Sequence, residues 1–220
     1  MSSANVTPTR RTIVYIDGFN LYFGLRTQGW RKFLWLNLEL LGRSILLPEQ
    51  LFVRVNYFTS EITGPADKLA RQRSYLAAVK SLKTVTIHRG RYQSDMVSCI
   101  DCGLAMSCPK CKRVWYDNNE KMTDVKIATT MLVDAFQNRF DDAILISGDA
   151  DQKPTIEEIS RLYPSKRVYV CFPPSRKSYD LERAAYGRID AMEEHYRKSQ
   201  FAPVVDTAAG RTVTRPDKWS

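Results

Sequence analysis

The sequence predicts an α/β domain with a central, mainly parallel sheet flanked by helices. Short apolar segments alternate along the chain with longer amphipathic segments, the order that builds a parallel sheet from strand–helix–strand units. The apolar runs at 13–16 and 143–146 contain no alternating polar residues, as expected of central strands covered on both faces. A chain of 220 residues forms one large domain, or one domain with a small insertion.

The individual elements follow from periodicity and turn residues. Strands rich in β-branched and aromatic residues are predicted at 12–16, 51–58, 84–88, 143–146 and 167–172, with an edge-like strand at 114–116. Helices are predicted at 21–26, 66–82, 123–138, 154–162, 179–185 and 189–198, with a helix or buried excursion near 36–47. Thr123 is the predicted N-cap of its helix, and Pro154 occupies a favourable first-turn position.

The predicted domain organisation is simple. A flexible polar lead (1–11) precedes one domain (12–200), which carries a cysteine-rich insertion at about 95–113, and a loose tail (201–220) follows. No apolar run approaches the ~20 residues that span a bilayer, and the first residues lack the apolar stretch of a secretory signal. We therefore expect a cytoplasmic protein without a membrane partner, and the sequence leaves its oligomeric state open.

Four aspartates fall where a parallel sheet would bring them together. Asp17 ends the first predicted strand, Asp149 and Asp151 follow the 143–146 strand, and Asp124 opens the helix between them. In an open α/β sheet, ligands bind beyond the carboxyl ends of the strands, where the strand order reverses. Carboxylates gathered there are suited to a hard cation such as Mg²⁺ or Mn²⁺. Such a site points to phosphodiester cleavage by a metal-activated water.

A simpler interpretation exists for each of these aspartates alone. An Asp after a strand is commonly a helix cap or a turn former, and Asp149 lies in a Ser-Gly-Asp turn sequence. Four such positions at one common site favour the metal interpretation. Asn20, one helical turn after Asp17, is predicted to fix a ligand or to contact a phosphate.

The charge of the chain favours a polyanionic partner. The formal net charge is +9, and residues 66–92 hold seven Lys or Arg against one acid. A basic surface beside an acidic pocket suits a metal-dependent nuclease, because the basic part holds phosphates. The alternative is a basic surface that serves only solubility. The predicted nucleic-acid-binding residues are Lys68, Arg71, Arg73, Arg89, Arg91, Lys112 and Arg113.

Four of the five cysteines form a paired motif. Cys99 and Cys102 make one CxxC segment, and Cys108 and Cys111 make a second one after a gap of five residues. Two such segments predict one structural Zn²⁺ held by four thiolates in a compact loop. The alternatives are four free thiols or a redox pair. Cys171 lies inside a predicted strand and is expected to be a core residue.

Three ordered segments resemble the NYN domain, a branch of the PIN-like nucleases. They are 15–20 (YIDGFN), 120–125 (EKMTDV) and 146–151 (ISGDAD). The resemblance covers roughly 12–185, and a zinc-ribbon-like insertion interrupts it. It implies a Rossmann-like PIN fold, Mg²⁺ or Mn²⁺ held by the acids, and RNA as the substrate.

The resemblance also assigns roles to single residues. Asp17, Asp124 and Asp149 match the metal-binding acids of the family. Asp151 matches the second acid of the SGDxD motif, and Asn20 matches the asparagine of the DGxN motif.

The chain departs from the family pattern at two positions. Gln152 replaces the aromatic residue after SGDxD, and Thr130 replaces a further helical Asp of many members. The missing carboxylate opens the possibility of a one-metal mechanism, unless Glu120 compensates for it.

The predicted function is therefore metal-dependent hydrolysis of RNA. The two histidines, His88 and His195, lie in no recognisable catalytic motif, so histidine-based nucleophilic catalysis is not predicted. Two alternatives stay open: a non-catalytic RNA- or protein-binding module on the same fold, and a structure-specific DNA nuclease.

Overall fold

A computed structural model describes residues 9–112, 114–207 and 210–219, apart from the side chains of 92–95 and 117–120. The strands are β1 (Arg10–Asp17), β2 (Gln50–Thr59), β3 (Val85–Arg89), β4 (Arg91–Met96), β5 (Tyr116–Lys121), β6 (Asp142–Ile146), β7 (Arg167–Cys171), β8 (Gly187–Ile189), β9 (Val204–Asp206) and β10 (Thr212–Thr214). The helices are α1 (Gly18–Thr27), α2 (Leu38–Ser44), α3 (Ala66–Lys80), α4 (Thr123–Phe136), α5 (Lys153–Leu162), α6 (Tyr179–Ala184) and α7 (Glu193–Lys198). Short 3₁₀ turns lie at Arg31–Phe33, Ala150–Gln152 and Asp217–Trp219.

Six parallel strands form the central sheet, in the order β3-β2-β1-β6-β7-β8. The order reverses between β1 and β6, which pair directly, with Ile16 opposite Ile146. Both strands end within one or two residues of that pair, so their carboxyl ends lie side by side. This is the position at which doubly wound α/β sheets bind their ligands. The predicted fold class is confirmed.

The sheet separates two hydrophobic cores. Val14 and Ile16 of β1 pack in one core, and Ile13 and Tyr15 pack in the other, because successive strand side chains point to opposite faces. All four side chains are fully buried. The unbroken apolar run that predicted a central strand is therefore covered on both faces.

A buried carboxylate links α4 to the sheet. Asp134, whose side chain has no exposed surface, forms ion pairs of 2.9 Å with Arg54 and Arg139. The hydroxyl of Tyr15 donates a hydrogen bond of 2.7 Å to the same carboxylate. Burial alone would raise the pKa of Asp134, but these hydrogen bonds lower it. The network fixes α4, and therefore Asp124 at its start, against β1 and β2.

The predicted edge-like strand at 114–116 is wrong. Its last residue, Tyr116, begins β5, which pairs with β4 in an antiparallel two-stranded ribbon outside the central sheet. Trp115 and Tyr116 are about half exposed, at 48% and 56%. The aromatic residues therefore indicated a strand correctly, but that strand is not buried in the core.

Two further element predictions need correction. Thr123 does not cap its helix: Met122 is the N-cap, in a left-handed conformation at φ 77°, and Thr123 is the first, buried helical residue. The predicted helix at 189–198 divides into β8 and α7, because β8 adds a sixth strand beside β7. Pro154 does lie at the start of α5, as predicted.

The two ends of the chain are more ordered than the sequence suggested. Arg10 and Arg11, predicted to be part of the flexible lead, belong to β1 and pair with Asp142 and Asp141. The rest of the lead, 1–8, lies outside the described residues. The segment predicted as a loose tail contains β9 and β10, and Trp219 is only 8% exposed.

Within the described ranges, none of the helices is both long enough and apolar enough to cross a bilayer.

Candidate metal centre and its surroundings

Asp17 ends β1 and starts α1. Its side-chain Oδ1 accepts the backbone N–H of Asn20 at 3.0 Å, which makes it the N-cap of α1. The residue is 4% exposed. A carboxylate at this point lies at the positive end of the α1 dipole.

The turn after β6 is bonded directly to Asp17. The hydroxyl of Ser147 donates to Asp17 Oδ2 at 3.0 Å and accepts the backbone N–H of Asp149 at 3.1 Å. The side-chain oxygen of Asn20 accepts the N–H of Gly148 at 3.0 Å. Two short contacts therefore tie the carboxyl end of β1 to the turn that presents Asp149.

Asp149 and Asp151 occupy one tight turn. Asp149 caps the 3₁₀ turn Ala150–Gln152, and its Oδ1 accepts the N–H of Asp151 at 3.0 Å. Asp149 therefore has the role of a cap and turn former, which is the simpler interpretation of an Asp that follows a strand. The carboxylate has a second oxygen, however, so capping does not preclude metal binding.

Asp124 lies across from this turn, in the first turn of α4. Its side chain is solvent-accessible. The pKa of Asp124 is raised, first by reduced solvation and then by the negative charges of Asp149 and Asp151. Asp124 is therefore close enough to the other two carboxylates for their charges to act on it. None of them forms a salt bridge with a described Lys, Arg or His.

The donor set suits a hard cation that keeps part of its water shell. Across the described residues, no three side chains among His, Cys, Asp and Glu gather tightly enough to enclose an ion. Mg²⁺ commonly binds through one or two carboxylates, several waters and substrate phosphate, rather than in an all-protein cage. Mutually repelling carboxylates without a salt-bridge partner fit that mode of binding.

The cysteine insertion forms two similar turns. The N–H of Gly103 donates to the carbonyl of Cys99 at 2.9 Å, and the N–H of Lys112 donates to the carbonyl of Cys108 at 2.8 Å. Gly103 and Lys112 both adopt positive φ, at 71° and 58°. Each CxxC segment therefore closes one turn, and the second copy tolerates a left-handed Lys where the first has Gly.

The first thiol of each CxxC segment has a lowered pKa. Backbone N–H groups of Cys102 and Asp101 lower the pKa of Cys99, and corresponding groups of the second turn lower the pKa of Cys108. A thiolate held this way is a ready zinc ligand. The four thiols do not come together as one cluster, so the zinc site stays a prediction. Cys171 is fully buried in β7, as expected.

A family model agrees with this arrangement. The model for the NYN domain matches residues 11–193. This range includes β1 from Arg11 onward, the turn that carries Asp149 and Asp151, and the cysteine insertion. The chain belongs to the NYN domain family. Its central sheet of six parallel strands, flanked by helices, is consistent with a PIN-like NYN domain.

Two similar proteins differ in whether their names state an activity. The chain is 25% identical, over 238 aligned positions, to a protein from Pseudomonas putida named 6-hydroxy-3-succinoylpyridine 3-monooxygenase; the match covers 95% of this chain and 75% of that protein. A crystal structure of a protein of unknown function from Vibrio parahaemolyticus is similar in fold, with a TM-score of 0.50 and 19% identity. That alignment covers 88% of this chain and 98% of the Vibrio chain.

The departures from the NYN pattern lie at the acidic site. Gln152 is 1% exposed and donates from Nε2 to the backbone carbonyl of Asp124 at 3.3 Å. Its Oε1 is buried without a described partner. Gln152 therefore links the acidic turn to α4. Thr130 lies on α4, two turns after Asp124, and the side chain of Glu120 lies outside the described side chains.

The predicted basic residues are distributed over several elements. Lys68 and Arg71 of α3 line one cavity, described below. Arg89 ends β3 and pairs with Glu61 at 2.7 Å. The remaining three described residues, Arg73, Arg91 and Lys112, are exposed, and Arg113 lies outside the described residues. Among the described residues of this predicted set, Lys68 and Arg71 line the same cavity.

A cavity of about 750 Å³ lies between α1, β2 and α3. Gly18 and Phe19, which directly follow Asp17, form part of its wall. Its lining residues come from five separate stretches of the chain, so no local sequence pattern predicts the cavity.

Ser147 is the site residue that sequence reasoning missed. Its hydroxyl contacts both halves of the acidic site, and it lies in the SGD segment that was singled out for its aspartate. A buried serine directly after a central strand was the available signal. Its role depends on β1 and β6 being neighbours, which the sequence alone does not establish.

Proposed function

We propose that the protein is a metal-dependent ribonuclease that hydrolyses phosphodiester bonds with a metal-activated water. The observation that carries the proposal is the group of aspartates at the β1–β6 switch. The negative charges of Asp149 and Asp151 act on Asp124 there, and Ser147 bonds Asp17 to the turn that carries Asp149. Carboxylates that lack a salt-bridge partner are costly to hold together, and a divalent cation offsets that repulsion.

Each residue has a distinct role in this proposal. Asp17, Asp124 and Asp149 would hold Mg²⁺ or Mn²⁺, with Asp151 acting directly or through water. The bound metal would lower the pKa of a water and neutralise charge on the phosphate. Ser147 and Asn20 position Asp17 and the Asp149 turn through the hydrogen bonds described above. No side-chain base is needed.

RNA as the substrate rests on the family and on charge. NYN membership implies a nucleic-acid substrate. The net charge of +9 favours a polyanion, and Lys68 and Arg71 lie on the wall of a cavity that begins next to Asp17. In this proposal these cations would contact phosphates of the bound strand.

A cleavage assay tests the proposal. RNA and DNA of one sequence, each labelled at the 5′ end, are incubated with the purified protein in Mn²⁺, Mg²⁺ or EDTA. The proposal expects metal-dependent cleavage of RNA and little cleavage of DNA. Equal or preferential cleavage of flap-containing DNA would favour a structure-specific DNA nuclease. Cleavage that persists in EDTA would contradict the metal mechanism.

A binding module without catalysis is the main rival. Thr130 replaces a potential ligand, and the described residues hold no closed group of three metal-ligating side chains. Calorimetry separates the two: RNA binding without Mn²⁺ uptake favours the module, whereas Mn²⁺ uptake that Asp149→Asn abolishes favours the nuclease.

Oxygenation of an aromatic acid is a second candidate. The name of the Pseudomonas relative and the aromatic walls of the cavity beside Asp17 favour it. Such a reaction inserts one oxygen atom of O₂ and reduces the other to water with two electrons from an external donor, such as a reduced nicotinamide. Oxygen uptake in the presence of that donor and a hydroxypyridine acid would support oxygenation as the function. The absence of such uptake would rule this candidate out.

The cysteine insertion is proposed to bind one structural Zn²⁺ through Cys99, Cys102, Cys108 and Cys111. The support is the repeated turn geometry and the lowered pKa of the first thiol in each pair. Bound zinc would hold the two CxxC turns together in the segment that connects β4 to β5.

A further inference from the structure

We propose that the cavity between α1, β2 and α3 binds a planar heteroaromatic ring that carries an anionic group. Its volume of about 750 Å³ lies within the usual range of small-molecule sites. The inference does not depend on phosphodiester cleavage, because it concerns recognition by residues other than the aspartates.

The walls of the cavity are aromatic. Tyr22 comes from α1, Tyr57 from β2, Tyr75 from α3, Tyr116 from the start of β5 and Trp219 from the C-terminal turn. With Phe19 and Phe23 of α1, seven of the 21 lining residues are aromatic, which is a strong enrichment because aromatic residues make up 11% of the chain. Stacking on such rings holds any flat π-system and tolerates different ring types.

The rear of the cavity is rigid. The hydroxyl of Tyr75 donates to the carbonyl of Leu36 at 3.0 Å, and the Tyr75 ring packs edge-on against Tyr57 and Trp219 at 6.4 and 6.0 Å between centroids. The front stays open, because Tyr116 is 56% exposed. A fixed rear wall and an accessible ring at the front suit a ligand that enters from solvent.

The charged residues that line the cavity are all basic. Arg26, Lys68 and Arg71 line the cavity, and none of its described lining residues is acidic. Arg71 is engaged by Asp67 at 2.8 Å, but Lys68 has no ion pair with a described residue. Arg26 lies over the Tyr22 ring at 5.4 Å from the centroid. A free ammonium and a guanidinium beside aromatic rings are suited to a ring with an attached carboxylate or phosphate.

The cavity adjoins the acidic site. Gly18 and Phe19 belong to its wall and directly follow Asp17. A ligand in the cavity would therefore contact the first turn of α1, whose N-cap is Asp17. A nucleotide of an RNA strand and a free aromatic acid both have this chemistry, and an experiment distinguishes the two sources.

Calorimetry in EDTA provides the test, with wild-type protein and with Asp149→Asn. The probes are a 5′-phosphorylated RNA trinucleotide, adenosine 5′-monophosphate and 6-hydroxynicotinate. Ribose 5-phosphate and succinate serve as anions without an aromatic ring. We expect saturable binding of at least one ring-bearing anion, at least tenfold tighter than the ringless anions. Binding should be equal in both proteins, so a failure of the nuclease proposal would leave this result unaffected.

Variants locate the binding site. Tyr22→Ala removes a wall, Ile62→Trp fills the space from the exposed loop, and Lys68→Gln removes the free cation; each should weaken binding at least fivefold. Lys80→Gln, on the same helix but outside the cavity, and Tyr179→Ala, an exposed ring elsewhere, should leave it unchanged. Melting temperatures confirm that each variant is folded.

The pattern of binding identifies the ligand source or overturns the proposal. Tightest binding of the trinucleotide would assign the cavity to a nucleotide of an RNA strand, and tightest binding of 6-hydroxynicotinate would assign it to a free aromatic acid. The proposal is overturned if none of the ring-bearing probes binds, if the ringless anions bind equally well, or if the three cavity variants bind like wild type.

Discussion

The side-chain oxygen of Asn20 accepts a hydrogen bond from the backbone N–H of Gly148 at 3.0 Å. This contact joins the first turn of α1 to the turn after β6, which is 128 residues away along the chain. Ser147 makes a second link between the same two segments. The position of Asp149 relative to Asp17 is therefore set by side-chain hydrogen bonds as well as by the pairing of β1 and β6.

Replacing Asn20 by Ala should reduce metal affinity and RNA cleavage by about 10- to 100-fold, the usual effect of losing a group that orients metal ligands. Asn20→Asp keeps an acceptor for Gly148 N–H and should lose less. Mn²⁺ titration and single-turnover cleavage of both variants measure the difference. Equal losses in the two variants would show that Asn20 acts through its amide NH₂, on a ligand or phosphate, as the sequence predicted.

Asp124→Asn should abolish metal binding and yet stabilise the metal-free fold. The raised pKa of Asp124 means that the folded protein holds this proton more tightly than the unfolded chain. That contribution to stability is present below the unfolded pKa and is lost as pH rises through the folded pKa. At neutral pH the variant should melt roughly 1–2 °C higher in EDTA. A lower melting temperature would contradict the mutual repulsion of the three aspartates.

Asp134→Ala should cost about 3 kcal/mol or more in the free energy of unfolding, because it leaves Arg54 and Tyr15 without their buried partner. The lowered pKa of Asp134 adds a pH dependence: its contribution is present above the unfolded pKa and is lost as pH falls through the folded pKa. Urea unfolding checks both. The control Glu158→Ala breaks the exposed pair with Arg161 and should cost under ~0.5 kcal/mol. A similar loss in the two variants would argue against the network.

The purified protein should contain about one Zn²⁺ per chain when no zinc has been added. Cys99→Ser or Cys108→Ser should remove most of it, whereas Cys171→Ala, in the buried core of β7, should retain it. Elemental analysis of the three variants measures the content. Zinc-free wild-type protein with reduced, intact cysteines would leave the insertion as two independent thiol pairs.

The sequence predicted those elements whose own residues show a clear apolar pattern. The β1 segment was evident because four consecutive apolar residues are needed to cover a central strand on both faces. The β4 strand was missed because its sequence, RYQSDM, has no regular apolar alternation, and its pairing with β5 is what makes it a strand. Trp219 gave no local signal, because its partners Trp35 and Tyr75 are far away in the sequence.

In the candidate site, too, some residues are identifiable from local sequence, and others only from the contacts that the fold creates. The aspartates were identifiable because each follows or opens a recognisable element. The contacts of Ser147 and Asn20, and the buried role of Asp134, depend on which strands and helices become neighbours. Gly148 shows this most directly: a Cβ there would lie 2.1 Å from the carbonyl oxygen of Arg176, a segment that only the folded chain brings close.

The most direct test of the nuclease proposal is the rate of Mn²⁺-dependent RNA cleavage by Asp149→Asn. Asp190→Asn is the matched control, since Asp190 also follows a parallel strand, but at the sheet edge, where it pairs with Arg188. We predict that Asp149→Asn lowers the rate at least ~100-fold with an unchanged melting transition, while Asp190→Asn cleaves like wild type. Cleavage by folded Asp149→Asn within about twofold of the wild-type rate would contradict the assignment of the acidic site.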